Sequence, residues 1–127
     1  MKVKVIYNNL QNLIEVAQKR LADSIHIEGD ISDLELGKEH IVQAIANWED
    51  GLRYYIHDSI DVSEPRPWPA EFFSVVDGSI PKNWKICSQQ DGRFQIGFSE
   101  WVEDKTFYER LIDEDPIALG IYKKNRL

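Results

Sequence analysis

Trp84-Lys85-Ile86-Cys87-Ser88-Gln89-Gln90-Asp91-Gly92-Arg93-Phe94-Gln95-Ile96-Gly97-Phe98 decides the fold class. Trp84, Ile86 and Ser88 fall on one face of a strand, and Phe94, Ile96 and Phe98 on one face of the next. A two-residue Asp91-Gly92 turn would pair Ile86 with Gly97 and throw the two apolar rows onto opposite faces. A three-residue loop, Gln90-Asp91-Gly92, pairs Ile86 with Ile96 and Trp84 with Phe98. It also puts Gly92 at the left-handed position such loops require. A one-residue slip flips every side chain, so the matched apolar rows select the three-residue loop. The expectation is an α+β fold, with helices packed on a small antiparallel sheet that contains the 84–98 hairpin.

Upstream of the hairpin, Pro65-Arg66-Pro67-Trp68-Pro69 cannot be helix interior or central strand and reads as an extended connector. Phe72, Phe73, Val75 and Val76 then have helical spacing before Gly78, which predicts a short helix over 70–77. Further back, Leu34, Ile41, Ile45, Trp48, Leu52 and Tyr55 form one stripe at helical period, with Ser32 or Asp33 as cap. That pattern predicts a helix over 33–58, about 39 Å long at 1.5 Å per residue. Gly37 and Gly51 weaken it, and a break near Gly51 is allowed. Residues 23–31 read as a loop, with a short extended piece at 25–27. Asn8 or Asn9 caps a helix over 9–22 carrying Leu10, Leu13, Ile14, Ala17 and Leu21 inward. Residues 2–7 alternate lysine with apolar side chains, as a short strand or a frayed terminus would.

Downstream, Phe107 and Leu111 mark a helix over 104–113, and Pro116 opens a last one with Ile117, Ala118 and Ile121 buried. No internal repeat or linker divides the 127 residues, so one domain spanning 1–127 is expected.

The chemistry-bearing residues form no recognisable catalytic pattern. His26, His40 and His57 have no zinc-ligand spacing. On the predicted long helix His40 and His57 would stand about 25 Å apart, too far to share a metal. Cys87 is the only cysteine, which excludes an intrachain disulfide and carries no nucleophile signature. The acids Glu100, Glu103 and Asp104, and Asp113, Glu114 and Asp115, read as solvated faces or caps rather than paired catalytic carboxylates. No nucleotide-binding glycine pattern and no nucleophile elbow occurs. The expectation is a non-enzyme with no cofactor and no metal.

A net charge of −7 argues against a nucleic-acid or anionic-membrane partner and suits a basic protein. The charge is uneven: residues 23–61 carry ten acids against Lys38 and Arg53, a net of −8. The lack of any signal-like or membrane-length apolar run points to a cytoplasmic location. Of four tryptophans, Trp48 and Trp84 fit a core, while Trp68 between prolines and Trp101 among acids are candidates for exposure. Asp30, Asp33, Glu35, Glu39 and Asp50, with Trp68 and Trp101 as apolar anchors, are therefore the expected partner-binding residues.

The closing stretch Phe94-Gln95-Ile96-Gly97-Phe98-Ser99-Glu100-Trp101, with Phe107-Tyr108-Glu109-Arg110-Leu111 and Asp115-Pro116-Ile117-Ala118, resembles the immunity proteins of bacterial toxin–immunity systems, including contact-dependent growth inhibition. The resemblance is one of overall character in the last third of the chain. It implies a non-enzymatic inhibitor that binds a cognate toxin domain, often a nuclease with a basic cleft. A generic interaction or adaptor domain, or a small enzyme whose site is assembled from scattered residues, are the competing expectations.

Overall fold

The computed structural model describes residues 1–22, 33–60 and 62–127. Among them the chain forms two antiparallel sheets and four helices, an α+β fold. The elements in order are β1 (Lys2–Val5), α1 (Glu15–Ala22), β2 (Glu39–Ile41), β3 (Ala44–Trp48), β4 (Gly51–Ile56), β5 (Arg66–Pro69), β6 (Phe73–Asp77), β7 (Trp84–Ser88), β8 (Phe94–Phe98), α2 (Ser99–Glu103), α3 (Phe107–Ile112) and α4 (Pro116–Asn125). The smaller sheet has the order β2-β1-β6 and the larger β5-β4-β3-β8-β7.

The hairpin has the register that its apolar rows demand. Ile86 faces Ile96 and Trp84 faces Phe98, and Gly92 takes φ 87° in the loop. Gln89 N–H donates to Arg93 O at 2.7 Å and closes the three-residue loop. The apolar row is not all buried, however: Ile86 is 63% exposed, because β7 is the outermost strand of its sheet.

The predicted helix over 33–58 is instead β2, β3 and β4. Ala44, Ile45 and Ala46 are all buried, as are Arg53, Tyr54, Tyr55 and Ile56. Strands covered on both faces lose the alternation that marks a strand in sequence, and their apolar residues then fit a helical period by accident. Gly51 is the informative residue. It adopts φ 123° directly after the Glu49-Asp50 turn that joins β3 to β4, a conformation glycine enters without the Cβ penalty.

The expected helix over 70–77 is a single 3-10 turn, Ala70–Phe72, followed by strand β6. Phe73, Val75 and Val76 suit a strand, and β1 supplies its partner, with Val5 opposite Phe73 and Val3 opposite Val75. The helix expected over 9–22 is a 3-10 turn at Leu10–Asn12 and then α1, with Asn9 capping the turn by accepting from the Gln11 N–H at 2.9 Å. The helix expected over 104–113 forms as α3. The last helix starts at Pro116 with Asp115 as its cap, although Ile117 points outward, 68% exposed. The loop read over 23–31, its extended piece at 25–27 and the Ser32 cap lie outside the described residues.

The larger sheet is the central layer. Ile45, Tyr54, Ile56 and Trp68 pack with Val3 and Val5 of β1, Phe73 of β6, Ala17 and Leu21 of α1, and Leu13 and Phe72 at the two 3-10 turns. A second core joins Ala44, Ala46, Tyr55 and Phe98 of the sheet to Trp101, Val102, Phe107, Leu111, Ala118 and Tyr122 of the helical layer. Gly97 lies at the contact with that layer: a Cβ there would stand 3.4 Å from Ala44 Cβ and 3.7 Å from the Trp101 ring, both ordinary van der Waals distances. No described helix is long and apolar enough to cross a membrane.

Candidate functional site

The expected acidic helix face does not exist, because the residues that would build it lie on strands and loops. Asp50 is buried and ion-paired with Arg53. Asp33 pairs with Arg66 at 3.0 Å and Glu39 lies 3.9 Å from Lys2, both still half-exposed. Glu35 is exposed in the loop before β2. Asp30 lies outside the described residues. The expectations reverse for three of the four tryptophans, while Trp84 packs against both cores as expected. Trp101 is 2% exposed, with its indole N–H donating to Gln95 Oε1 at 2.9 Å and its ring edge-on to Tyr55. Trp68 is buried and donates to Asp58 Oδ2 at 2.6 Å. Trp48, placed in the core by its spacing, is 41% exposed at the end of β3, and the Arg53 guanidinium stacks 4.4 Å from its ring centre.

Acid and exposed apolar surface meet elsewhere, at the corner between α3 and α4. Phe107 and Leu111 of α3, and Ala118 and Tyr122 of α4, point into the second core at i, i+4 spacing. The opposite face therefore carries Glu109, Ile112, Asp113, Glu114 and Ile117 outward, all exposed. Ile112 is 50% and Ile117 68% exposed. Residues 100–115 hold seven acids against Lys105 and Arg110, a net of −5.

The corner is held from within. Arg110 donates through Nε to Asp115 Oδ2 at 2.6 Å and through a terminal nitrogen to Asp104 Oδ2 at 2.8 Å. Asp115 Oδ1 accepts the Ile117 N–H at 3.1 Å, and Asp104 Oδ1 accepts from the Thr106 amide and hydroxyl. The Thr106 hydrogen bonds and then Arg110 hold the Asp104 carboxyl below the ordinary carboxylate range, and Arg110 does the same for Asp115. Glu114 sits at φ 57°, the one non-glycine residue with positive φ among those described. Side chains rarely accept that region, so the turn is imposed by the two helices it joins.

A second cluster lies where β2, the end of β4 and α4 converge. His40 Nδ1 donates to His57 O at 3.1 Å, and His57 Nε2 lies 2.6 Å from the Tyr122 hydroxyl. The two histidines that a single helix would hold about 25 Å apart are thus brought together by the sheet. Burial lowers both below their ordinary value; Lys38 adds to the effect at His40, and Arg126 and His40 add to it at His57. Next to them a cavity of about 280 Å³ is lined by Lys38, His57, Ser59, Ile60, Val62 and Arg126. Among the described residues no group of three or more His, Cys, Asp or Glu is placed to hold a metal ion. Cys87 is half-buried against the second core.

Comparison with protein-family models, with curated proteins and with solved structures finds no match for this chain.

Proposed function

We propose that the chain is a non-enzymatic, protein-binding inhibitor of the bacterial immunity type, acting in the cytoplasm on a basic toxin domain through the α3–α4 corner. The observation that supports this reading is the pairing of Ile112 and Ile117, each at least half exposed, with the exposed acids Glu109, Asp113 and Glu114 on a turn pinned by Arg110. Acidic residues accelerate encounter with a basic partner and select against acidic ones. Desolvated apolar anchors on a preorganised surface slow dissociation. Ile14 and Val16 are as exposed as Ile112 and Ile117, but residues 1–22 carry a net +3 and would repel the same partner. Glu109 and Ile117 fall within the segments that resemble immunity proteins, and Ile112, Asp113 and Glu114 lie between those segments.

The test uses the polypeptide encoded immediately upstream, purified and assayed for toxin activity with and without this chain. Stoichiometric inhibition is expected. Ile112→Ala with Ile117→Ala should raise the dissociation rate, and reversing Glu109, Asp113 and Glu114 to lysine should slow association and flatten its salt dependence. Failure to inhibit, or inhibition indifferent to both sets of changes, would overturn the proposal.

A further inference from the structure

We propose that the free edge of β7 is a self-association site, at which a second copy of this chain adds its own β7 antiparallel about a two-fold axis at Ile86. The inference is independent of the inhibitor reading, which concerns the α3–α4 corner, and either can fail alone.

The backbone of the edge carries it first. Gln89 N–H donates to Arg93 O, so that opposed pair is hydrogen-bonded. Pairs in an antiparallel ladder alternate between bonded and non-bonded. Cys87 with Gln95 and Lys85 with Gly97 are therefore bonded, and Trp84, Ile86 and Ser88 hold the non-bonded positions. The backbone groups of those three residues point away from β8. Trp84 N–H turns back to Pro81 O at 3.1 Å. Among the described residues no strand pairs with β7 on that side. The N–H and C=O groups of Ile86 and Ser88 thus form a template for another strand.

Among the described residues the two sheets end in four outer strands, and three of them are defended. β5 carries Pro67 and Pro69, which lack an N–H. β2 has only three residues. β6 is bulged at Val76, because Lys2 faces Asp77 while Val3 faces Val75. By contrast β7 runs five residues in unbroken register without a proline. Its one charge, Lys85, sits on the face opposite Ile86 and is held by Glu103 of α2 at 3.2 Å.

The composition of the edge selects a second copy as the occupant. Pairing centred on Ile86 sets Ile86 opposite Ile86 of the second copy, Lys85 opposite Cys87 and Trp84 opposite Ser88, so no like charges are directly opposed. The chain carries −7, yet residues 79–103 balance Lys82, Lys85 and Arg93 against Asp91, Glu100 and Glu103. A neutral edge draws neither a basic nor an acidic partner by charge, and it lets two acidic chains meet. The apolar side chains supply the gain. Trp68, Tyr54, Ile45, Ile96 and Ile86 oppose one another in turn from β5 to β7. Ile45 is 6% exposed and Ile86 63%, so this row loses its cover at the edge. The two-fold axis continues the row into Ile86 and Ile96 of the second copy and shields Ile86 from water. A single strand pair is a small interface, so the dissociation constant should be on the order of 0.1 mM. At micromolar concentration the chain is then a monomer with Ile86 exposed.

The experiment is sedimentation equilibrium of the full chain from about 10 μM to about 1 mM, with amide exchange followed by NMR at both ends of the range. A monomer–dimer equilibrium is expected. Exchange at the Ile86 and Ser88 amides should slow as concentration rises, while Lys85 and Cys87, bonded within the hairpin, should not change. Ile86→Lys places two ammonium groups at the axis from an already exposed position and should weaken association about tenfold. Ile117→Lys, on the α3–α4 corner, should leave it unchanged. A monomer at every concentration, a dimer indifferent to Ile86→Lys, or a dimer lost in Ile117→Lys would overturn the proposal. So would slowing at Val75 and Val76 of β6 in place of Ile86 and Ser88. Protection of Ile86 and Ser88 that arises only when the upstream-encoded polypeptide is added would assign the edge to that partner and overturn self-association.

Discussion

The Nε2 of His57, at the end of β4, lies 2.6 Å from the hydroxyl of Tyr122 on α4. This contact ties the helical layer to the end of β4 in the central sheet through two groups that burial keeps uncharged, for burial also raises the Tyr122 hydroxyl far above its ordinary range. His40 extends the tie to β2, and its Nε2 is buried with no hydrogen-bond partner among the described residues. A proton added there would be an unsatisfied buried donor.

A pH dependence follows. His40 and His57 both titrate below 6.5 in the folded chain and near it when unfolded. The unfolded chain therefore binds more protons below that pH. Stability should be full above about 6.5 and fall as the pH drops toward the lowered folded-state values, flattening below them. Urea midpoints at pH 7.5, 6.0 and 5.0 check this, and His40→Gln should shrink the change. Asp77, Asp91, Asp104 and Asp115 are held below 3.8 and enter only in a separate, more acidic window. A midpoint indifferent to pH between 7.5 and 5.0 would count against neutral histidines.

Asp58 should matter more than its place after a strand end suggests. Its carboxylate accepts from Arg66 at 2.9 Å and from the Trp68 indole at 2.6 Å. Asp58→Asn leaves one oxygen for two donors, and the amide nitrogen then faces a guanidinium. A loss of about 1–3 kcal/mol is expected, the usual cost of an unsatisfied buried group. A loss below about 0.5 kcal/mol would show that water replaces the carboxylate.

Two isoleucines on the strands that flank β8 should behave differently. Ile45 and Ile86 both face Ile96 across β8, yet Ile45 is 6% exposed and Ile86 63%. Ile45→Ala should cost about 2–5 kcal/mol and Ile86→Ala under about 0.5 kcal/mol. Equal losses in chemical denaturation would mean that β7 is covered in solution.

Glu114→Gly should stabilise the chain slightly. Left-handed backbone costs a side-chain-bearing residue about 1–2 kcal/mol, and glycine returns about 0.5–1 kcal/mol of that as unfolded-state entropy. A net gain of about 0.5 kcal/mol is expected at φ 57°. A loss would show that the Glu114 side chain, and not the helix pair, holds the turn.

Legibility in the sequence tracked how local each signal was. The three-residue loop was readable because Gly92 and two apolar rows lie within 15 residues. The start of α4 was readable from Pro116, the one residue that needs no N–H at a first helical position, and the structure adds Asp115 as its cap. The alternation at residues 2–5 marked β1, whose Val3 and Val5 are buried while Lys2 and Lys4 are not. At the candidate site the acid run 113–115 was visible but read as a solvated face or a cap, and Ile117 was expected to be buried, since nothing in sequence says that Ile112 and Ile117 turn outward beside it.

The sequence by itself therefore determined the hairpin register, the first strand, the last helix and the α+β class, each through a turn, a cap or an alternation that acts within a few residues. Tertiary structure alone decided that residues 39–56 are strands, that Trp68 and Trp101 are buried while Trp48 is not, and that His40 meets His57. The physical reason is the layering. A sheet covered on both faces buries consecutive residues of its central strands, as at Ala44-Ile45-Ala46 and Arg53-Tyr54-Tyr55-Ile56, and erases the period-two signal there. Which side chains then meet across layers depends on contacts between segments tens of residues apart, which no local pattern encodes.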